Sequence, residues 1–295
     1  MFSGSSYRIP SFVFHATPHH KIFSGSGLIV SSAMVIAHTN PELVTGDASG
    51  LITCWDLITG TPTCSYHQDH PVRAMSVLPY GKLATADGRR VRIWKAGKLY
   101  RTLDSSTGSL DAIGLTSLQR GRLAVATAHE VRIWDAVRGC PRMTLNSPGA
   151  LLTALPDNRL ATYCAVEKIV RVFNTESGAR VCDIPTGRVE AMTALHDGAL
   201  ATLSSSRLSK WDARTGARVA CRAVDSMIMR QRIALTSNNL IVCNTRDSHF
   251  TAFDGKTLKT REVCPIREEP AQHLLPIANG RVVTIDIQSQ VKVWG

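Results

Sequence analysis

The chain has 295 residues, of which 44% are hydrophobic and 19% charged. That is enough apolar material for a sizeable core and excludes a disordered chain. Lys and Arg number 34 against 23 Asp and Glu, a formal net charge of +11, which points to an acidic partner.

At the N-terminus, Met1 to Arg8 contains no charged segment followed by an apolar run, so no secretory signal is read there. No apolar stretch is long enough to span a bilayer. Residues 1–18 are read as an N-terminal arm and 19–295 as one domain. The first unit begins with a strand at Ala33-Met34-Val35-Ile36, continues at Glu42-Leu43-Val44-Thr45 and Ile52-Thr53-Cys54-Trp55-Asp56, and turns at Thr59-Gly60. The second repeats this at Ala74 to Pro79, Lys82 to Thr85 and Val91-Arg92-Ile93-Trp94-Lys95. The third shows Arg122 to Val125, Val131-Arg132-Ile133-Trp134-Asp135 and a turn at Arg138-Gly139. The fourth runs through Leu152 to Pro156, Arg159 to Thr162, Val170-Arg171-Val172-Phe173-Asn174, Ser177-Gly178 and Val181 to Ile184. The fifth has Ala191 to Leu195, Ala199 to Thr202, Leu208 to Asp212 and Thr215-Gly216. The sixth has Asn239 to Val242 and His249 to Asp254; the seventh, Arg281 to Thr284 and Val291 to Trp294.

One column fixes the alignment. Trp55, Trp94, Trp134, Phe173, Trp211, Phe253 and Trp294 stand 39, 40, 39, 38, 42 and 41 residues apart, and all five tryptophans of the chain lie in this column. Each unit of about 40 residues holds four short strands joined by Gly, Asn, Asp or Pro turns. Such a unit cannot bury both faces alone, whereas radial packing of seven buries them. The expected fold is all-β: a seven-bladed β-propeller of four-stranded antiparallel blades. A buried Trp removes on the order of 150–250 Å² from water, so these rings are expected to wedge neighbouring blades at a fixed spacing.

At this point the chain resembles the WD40-repeat family from about Ala33 to Trp294. Trp55-Asp56, Trp134-Asp135 and Trp211-Asp212 match the family dipeptide. The Gly-His pair that usually opens a repeat is absent. Six residues ahead of the aromatics stand Ser49, Gly88, Ala128, Glu167, Ser205, Asp247 and Gln288, so the acid of that turn is mostly replaced. Without the family's His-Asp network, the blades are expected to rest more on apolar packing. The resemblance also implies that an N-terminal strand supplies the outer strand of the last blade. The candidates are Lys21-Ile22-Phe23-Ser24, which is preferred, and Arg8 to Phe14.

Residues with chemical potential read mostly as structure. Gly255-Lys256-Thr257 lacks the earlier glycine of a phosphate loop and falls on a repeat turn. His67 and His70, like His19-His20, lack a third metal ligand in sequence. Arg92, Arg132, Arg171 and Lys292 recur two residues before the ring and share its strand face, so their stems are expected to pack around the barrel. The eight cysteines form no C-x-x-C and read as buried reduced thiols of a cytoplasmic or nuclear protein. No catalytic residue, cofactor or metal site is read, and no enzyme activity is expected.

The resemblance implies a binding scaffold. Its usual docking surface is the face built from blade-to-blade loops and from turns before the Trp strands. Those loops here offer Arg73, Arg89, Asp111, His129, Lys168, Arg188, Arg207, Arg230, Arg246 and Arg267, a mainly basic set suited to an acidic or phosphorylated protein. Alternatives are a subunit of an RNA-containing particle and a substrate adaptor of a cullin-type ubiquitin ligase; the last rests on Trp211-Asp212-Ala213-Arg214. Self-association is left open.

Overall fold

Short runs rich in Leu, Val, Ile and Thr, broken by Gly and Asn turns, favour short strands, and the described residues hold 28 strands of three to eight residues. The computed structural model describes residues 21–23, 29–36, 41–57, 59–103, 110–149, 151–204, 206–224, 233–245, 249–265, 271–276, 280–286 and 290–294. The strands form seven antiparallel sheets of four. Blade 1 comprises Ile29–Ile36, Pro41–Asp47, Leu51–Asp56 and Pro62–His67. Blades 2 to 6 repeat this sequential order. In blade 7, Ala271–Pro276, Val282–Asp286 and Gln290–Trp294 are completed by Lys21–Phe23, with Ile22 opposite Val291. The preferred N-terminal donor is therefore the closing strand; Arg8 to Phe14, and the boundary set near residue 18, lie outside the described residues. The innermost strands of successive blades adjoin, and that of blade 1 also adjoins that of blade 7. The fold is a closed seven-bladed β-propeller. Among the described residues no helix is long and apolar enough to cross a membrane.

The aromatic column does what its spacing implies. Trp94 of blade 2 packs with Val44, Ile52 and Cys54 of blade 1. Trp134 lies against Ala84, Val91 and Ile93 of blade 2, and Phe173 against Ala124, Val131 and Ile133 of blade 3. Trp211 and Phe253 enter blades 4 and 5 in the same way. Trp55 closes the series: with Leu43 it shares a core with Val283, Ile285 and Val293 of the last blade. Each of these six rings thus belongs to one blade and fills the face of the preceding one. In blades 1 to 6 the outer strand carries a bulge just where the aromatic begins, as between Cys54 and Trp55 or Ile93 and Trp94. The extra residue re-aims the backbone beside the large ring.

A buried indole N–H needs an acceptor. Trp55 donates to Thr45 (2.9 Å), Trp94 to Thr85 (2.9 Å) and Trp211 to Thr202 (2.8 Å). In blade 2 this chain continues from the Thr85 hydroxyl to Gln68 and from the Gln68 amide to the His70 carbonyl. In blade 3 the equivalent position is Val125, opposite Arg132 as Thr85 is opposite Arg92, and Trp134 Nε1 has no partner.

Polar contacts join the blades beside the apolar packing. At the far ends of the second strands, buried Arg122 of blade 3 donates to the Thr175 carbonyl (2.7 Å) and Asn158 (2.9 Å) of blade 4. Arg159 of blade 4 donates to the Ala213 carbonyl of blade 5 (2.9 Å), and Lys210 of blade 5 to the Gly255 carbonyl of blade 6 (3.0 Å). These cations fasten blade 3 to blade 4, blade 4 to blade 5 and blade 5 to blade 6.

The orphaned indole makes a paired prediction. Val125→Thr is expected to raise unfolding stability in urea by about 1 kcal/mol, whereas Thr202→Val, which orphans Trp211, is expected to lower it by about 1–3 kcal/mol. Equal effects of the same sign would contradict the pairing.

Candidate functional site

In a four-stranded antiparallel blade, the turn between strands two and three and the connection to the next blade emerge at the same end, because each strand reverses direction. This places Arg89 and His129, in second turns, and Arg73, Asp111 and Arg188, in blade connections, on one rim. Lys168 lies in the second turn of blade 4, and Arg207 opens the third strand of blade 5 at the same end. All seven are exposed. Arg230, Arg246 and Arg267 lie outside the described residues.

The rim loops are fastened to their blades. Asp47 Oδ1 accepts the amides of Ser49 and Leu51, both at 2.9 Å. Between them Gly50 has φ +92°, and a Cβ there would meet the Gln68 carbonyl oxygen at 2.1 Å, so this turn admits glycine alone. Asp87 accepts the amides of Arg89 (2.8 Å) and Arg90 (2.7 Å), and Thr127 those of His129 and Glu130. The turn acid that looked replaced six residues ahead of the ring is therefore present in blades 1 and 2, eight and seven residues ahead. Blade connections bond back to the same turns: Leu110 N–H to the Arg89 carbonyl, Ala112 N–H to Gly88, and Gly187 N–H to Lys168. The side chains of the rim thus project from backbone already held in place.

Charge on the rim is sorted by burial. Arg92, whose side chain is 7% exposed, pairs with fully buried Asp87 and, at 3.0 Å, with Asp69. Arg132 pairs with Glu130 and Arg171 with Glu167. The recurring basic residues of the third strand therefore combine the expected buried stem, seen for Arg92, Arg171 and Lys292, with an ion-paired head where the partners are described. Glu190 stands 3.7 Å from Arg188. With these carboxylates engaged, exposed Arg73, Arg89, Lys168 and Arg207 have no carboxylate within ion-pair distance among the described residues. Burial alone would raise the Asp87 pKa. Hydrogen bonds from the Arg90 amide, the Arg92 guanidinium and the Arg89 amide outweigh it and hold the carboxyl below its ordinary value.

Loop charges were legible in sequence, but apolar rim residues were passed over. Val166, 88% exposed in the turn of blade 4, and Ile113 in the connection before blade 3 stand among the cations. Exposed Arg90 beside Arg89 was also missed, although adjacency could have found it.

The other end of the propeller is different. Arg214, the last residue of the Trp-Asp-x-Arg segment, donates to Asp157 of blade 4 at 2.8 Å. The Gly255-Lys256-Thr257 segment is an ordinary turn whose Lys256 and Thr257 amides bind Asp254 Oδ1. A cavity of about 580 Å³ opens there among the ends of the inner strands, lined by Ser117, Asn158, Arg159, His196 and neighbours, and includes none of the rim residues. Of the cysteines, Cys54, Cys164 and Cys243 are buried as expected, but Cys64, Cys140 and Cys221 are exposed; Cys264 has no described side chain. No known family model and no curated relative matches the chain.

Asp87→Asn leaves buried Arg92 with exposed Asp69 alone and is expected to destabilise the protein by about 3 kcal/mol at neutral pH. Because the folded pKa of Asp87 is depressed, its contribution is complete above the unfolded carboxylate value of about 3.9. It is lost as pH falls through the lower folded value. The gap between wild type and D87N in urea unfolding should stay constant from pH 7 down to about 4 and close only below that.

Proposed function

We propose that this protein is an interaction scaffold of the WD-repeat type whose basic rim docks an acidic or phosphorylated segment of a partner protein. The observation that carries this reading is the sorting of charge on the rim: its carboxylates neutralise the third-strand cations, while exposed Arg73, Arg89, Lys168 and Arg207 have no such partner among the described residues. Arginine forks match carboxylate and phosphate oxygens in pairs, and preorganised loops lower the entropy cost of docking. A propeller fold supports a binding role rather than a catalytic one. The seven described thiols are free, which supports a reducing compartment, cytoplasm or nucleus.

A second reading, a subunit of an RNA-containing particle, is favoured by exposed Arg218 and Arg222 on the outer strand of blade 5, which extend basic charge along the blade's outer edge. The buried rings of Trp55, Trp94, Trp134 and Trp211 are not open to stacking with single strands.

The test is the triple charge reversal R89E/K168E/R207E, with the captured proteins compared by mass spectrometry after purification from the native source. The expected result is loss of acidic or phosphorylated partners that wild type retains. Unchanged capture contradicts the rim reading. RNA co-purification that survives the reversal, and whose affinity falls steeply with salt, favours the second one.

A further inference from the structure

Blade 1 differs from its neighbours at one cross-strand position. The residue before each aromatic is paired directly with a residue of the outer strand: Ile93 with Arg101, Ile133 with Met143 and Val172 with Cys182. In blade 1 the pair is Cys54 and Cys64. Directly opposed residues of an antiparallel pair have Cα atoms about 4.5–5.5 Å apart and side chains on the same face. That lies inside the range of about 4.4–6.8 Å that a disulfide requires.

Tyr66, two residues beyond Cys64 on the outer strand, packs against the same core cluster as Cys54. The two thiols are unequal. Cys54 is buried in the core cluster with Trp94 and Met75, and Cys64 is exposed on the outer strand. Burial first, then the neighbouring Cys64, pushes the Cys54 thiol well above its ordinary pKa. An exposed sulfur that meets the oxidant first and a shielded one waiting beside it are the two parts of an attacking and resolving pair. The other exposed cysteines lack this arrangement: Cys140 faces Asp135 and Cys221 faces Ser209.

We propose that Cys54 and Cys64 are a redox modification site, joined reversibly within blade 1 when the protein meets a hydroperoxide. The Cys64 sulfur attacks the terminal peroxide oxygen. The O–O bond breaks, and the departing oxygen takes the thiol proton and leaves as water or alcohol. The resulting sulfenic acid on Cys64 is attacked by the Cys54 sulfur. The S–S bond forms as the S–O bond breaks, and the hydroxide departs with the Cys54 proton as water. The two sulfurs together lose two electrons and the peroxide gains them. A dithiol reductant reverses the bond by exchange.

The experiment treats the full chain with one equivalent of hydrogen peroxide, alkylates the remaining thiols and reads the tryptic peptide 22–73, which contains Cys54 and Cys64 and no other cysteine. The expected product is that peptide unalkylated and lighter by the two thiol hydrogens, restored by dithiothreitol. Cys54→Ser should instead leave Cys64 as a sulfenic acid that dimedone traps, and Cys64→Ser should leave Cys54 fully alkylated. A wild-type peptide with both thiols still alkylated overturns the proposal. So does a dimedone adduct on Cys64 beside a free Cys54, or a bond from either cysteine to another part of the chain.

Discussion

Everything in this structure depends on one contact repeated around a circle: in blades 1 to 6 the ring near the end of the third strand is buried against the strands of the preceding blade. It is the largest side chain that recurs from blade to blade, alongside a leucine of the second strand. At about 25 cal/mol per Å², each fully buried indole contributes on the order of 4–6 kcal/mol before entropy costs, more than any single polar join. The geometry matters as much as the energy. A ring held at the same point of every unit sets a constant angle between units, and seven units then bring Trp55 onto Val283 and Val293. The strand Lys21–Phe23, paired to Gln290–Trp294, fastens the same seam through the backbone.

Closure sorts the polar residues. A strand that must bury a ring on one face carries its basic neighbour on that face too, and a buried guanidinium requires a carboxylate. Arg92 with Asp87, Arg132 with Glu130 and Arg171 with Glu167 meet that requirement at one end of the propeller. At the other end Arg122, Arg159 and Lys210 reach carbonyl oxygens of the next blade. The positive character of the rim follows from this demand of the interior: acids that would neutralise the surface are engaged by cations beneath it. The net charge of +11 is thereby displayed rather than cancelled.

The column of rings and the four-strand period were legible from spacing alone, because each is a long-range regularity with one physical cause. The closing strand and the loops of the rim came from the resemblance to a known family, and strand parity explains why those loops share an end. What could not be read were features set by local backbone length. Asp47 and Asp87 cap their turns from different distances, so a fixed offset from the ring passes over both. The outer-strand bulges leave no residue signature. Which loop cations are neutralised depends on partners 2 to 23 positions away, as with Arg132 and Glu130 or Arg92 and Asp69. The threonine acceptors at 45, 85 and 202, and the valine at 125 that breaks their series, were present in the sequence. They gained meaning only once the strand register set them diagonally across from the indoles.

The seam is where closure is tested most directly. A double-mutant cycle between Trp55→Phe and Val283→Ala, residues more than two hundred positions apart in sequence, measures whether the first and last blades share a core. Closure by the ring requires a coupling free energy in urea unfolding of about 0.5–3 kcal/mol. Strict additivity of the two substitutions would mean that the blades do not meet, and that the chain does not close as described.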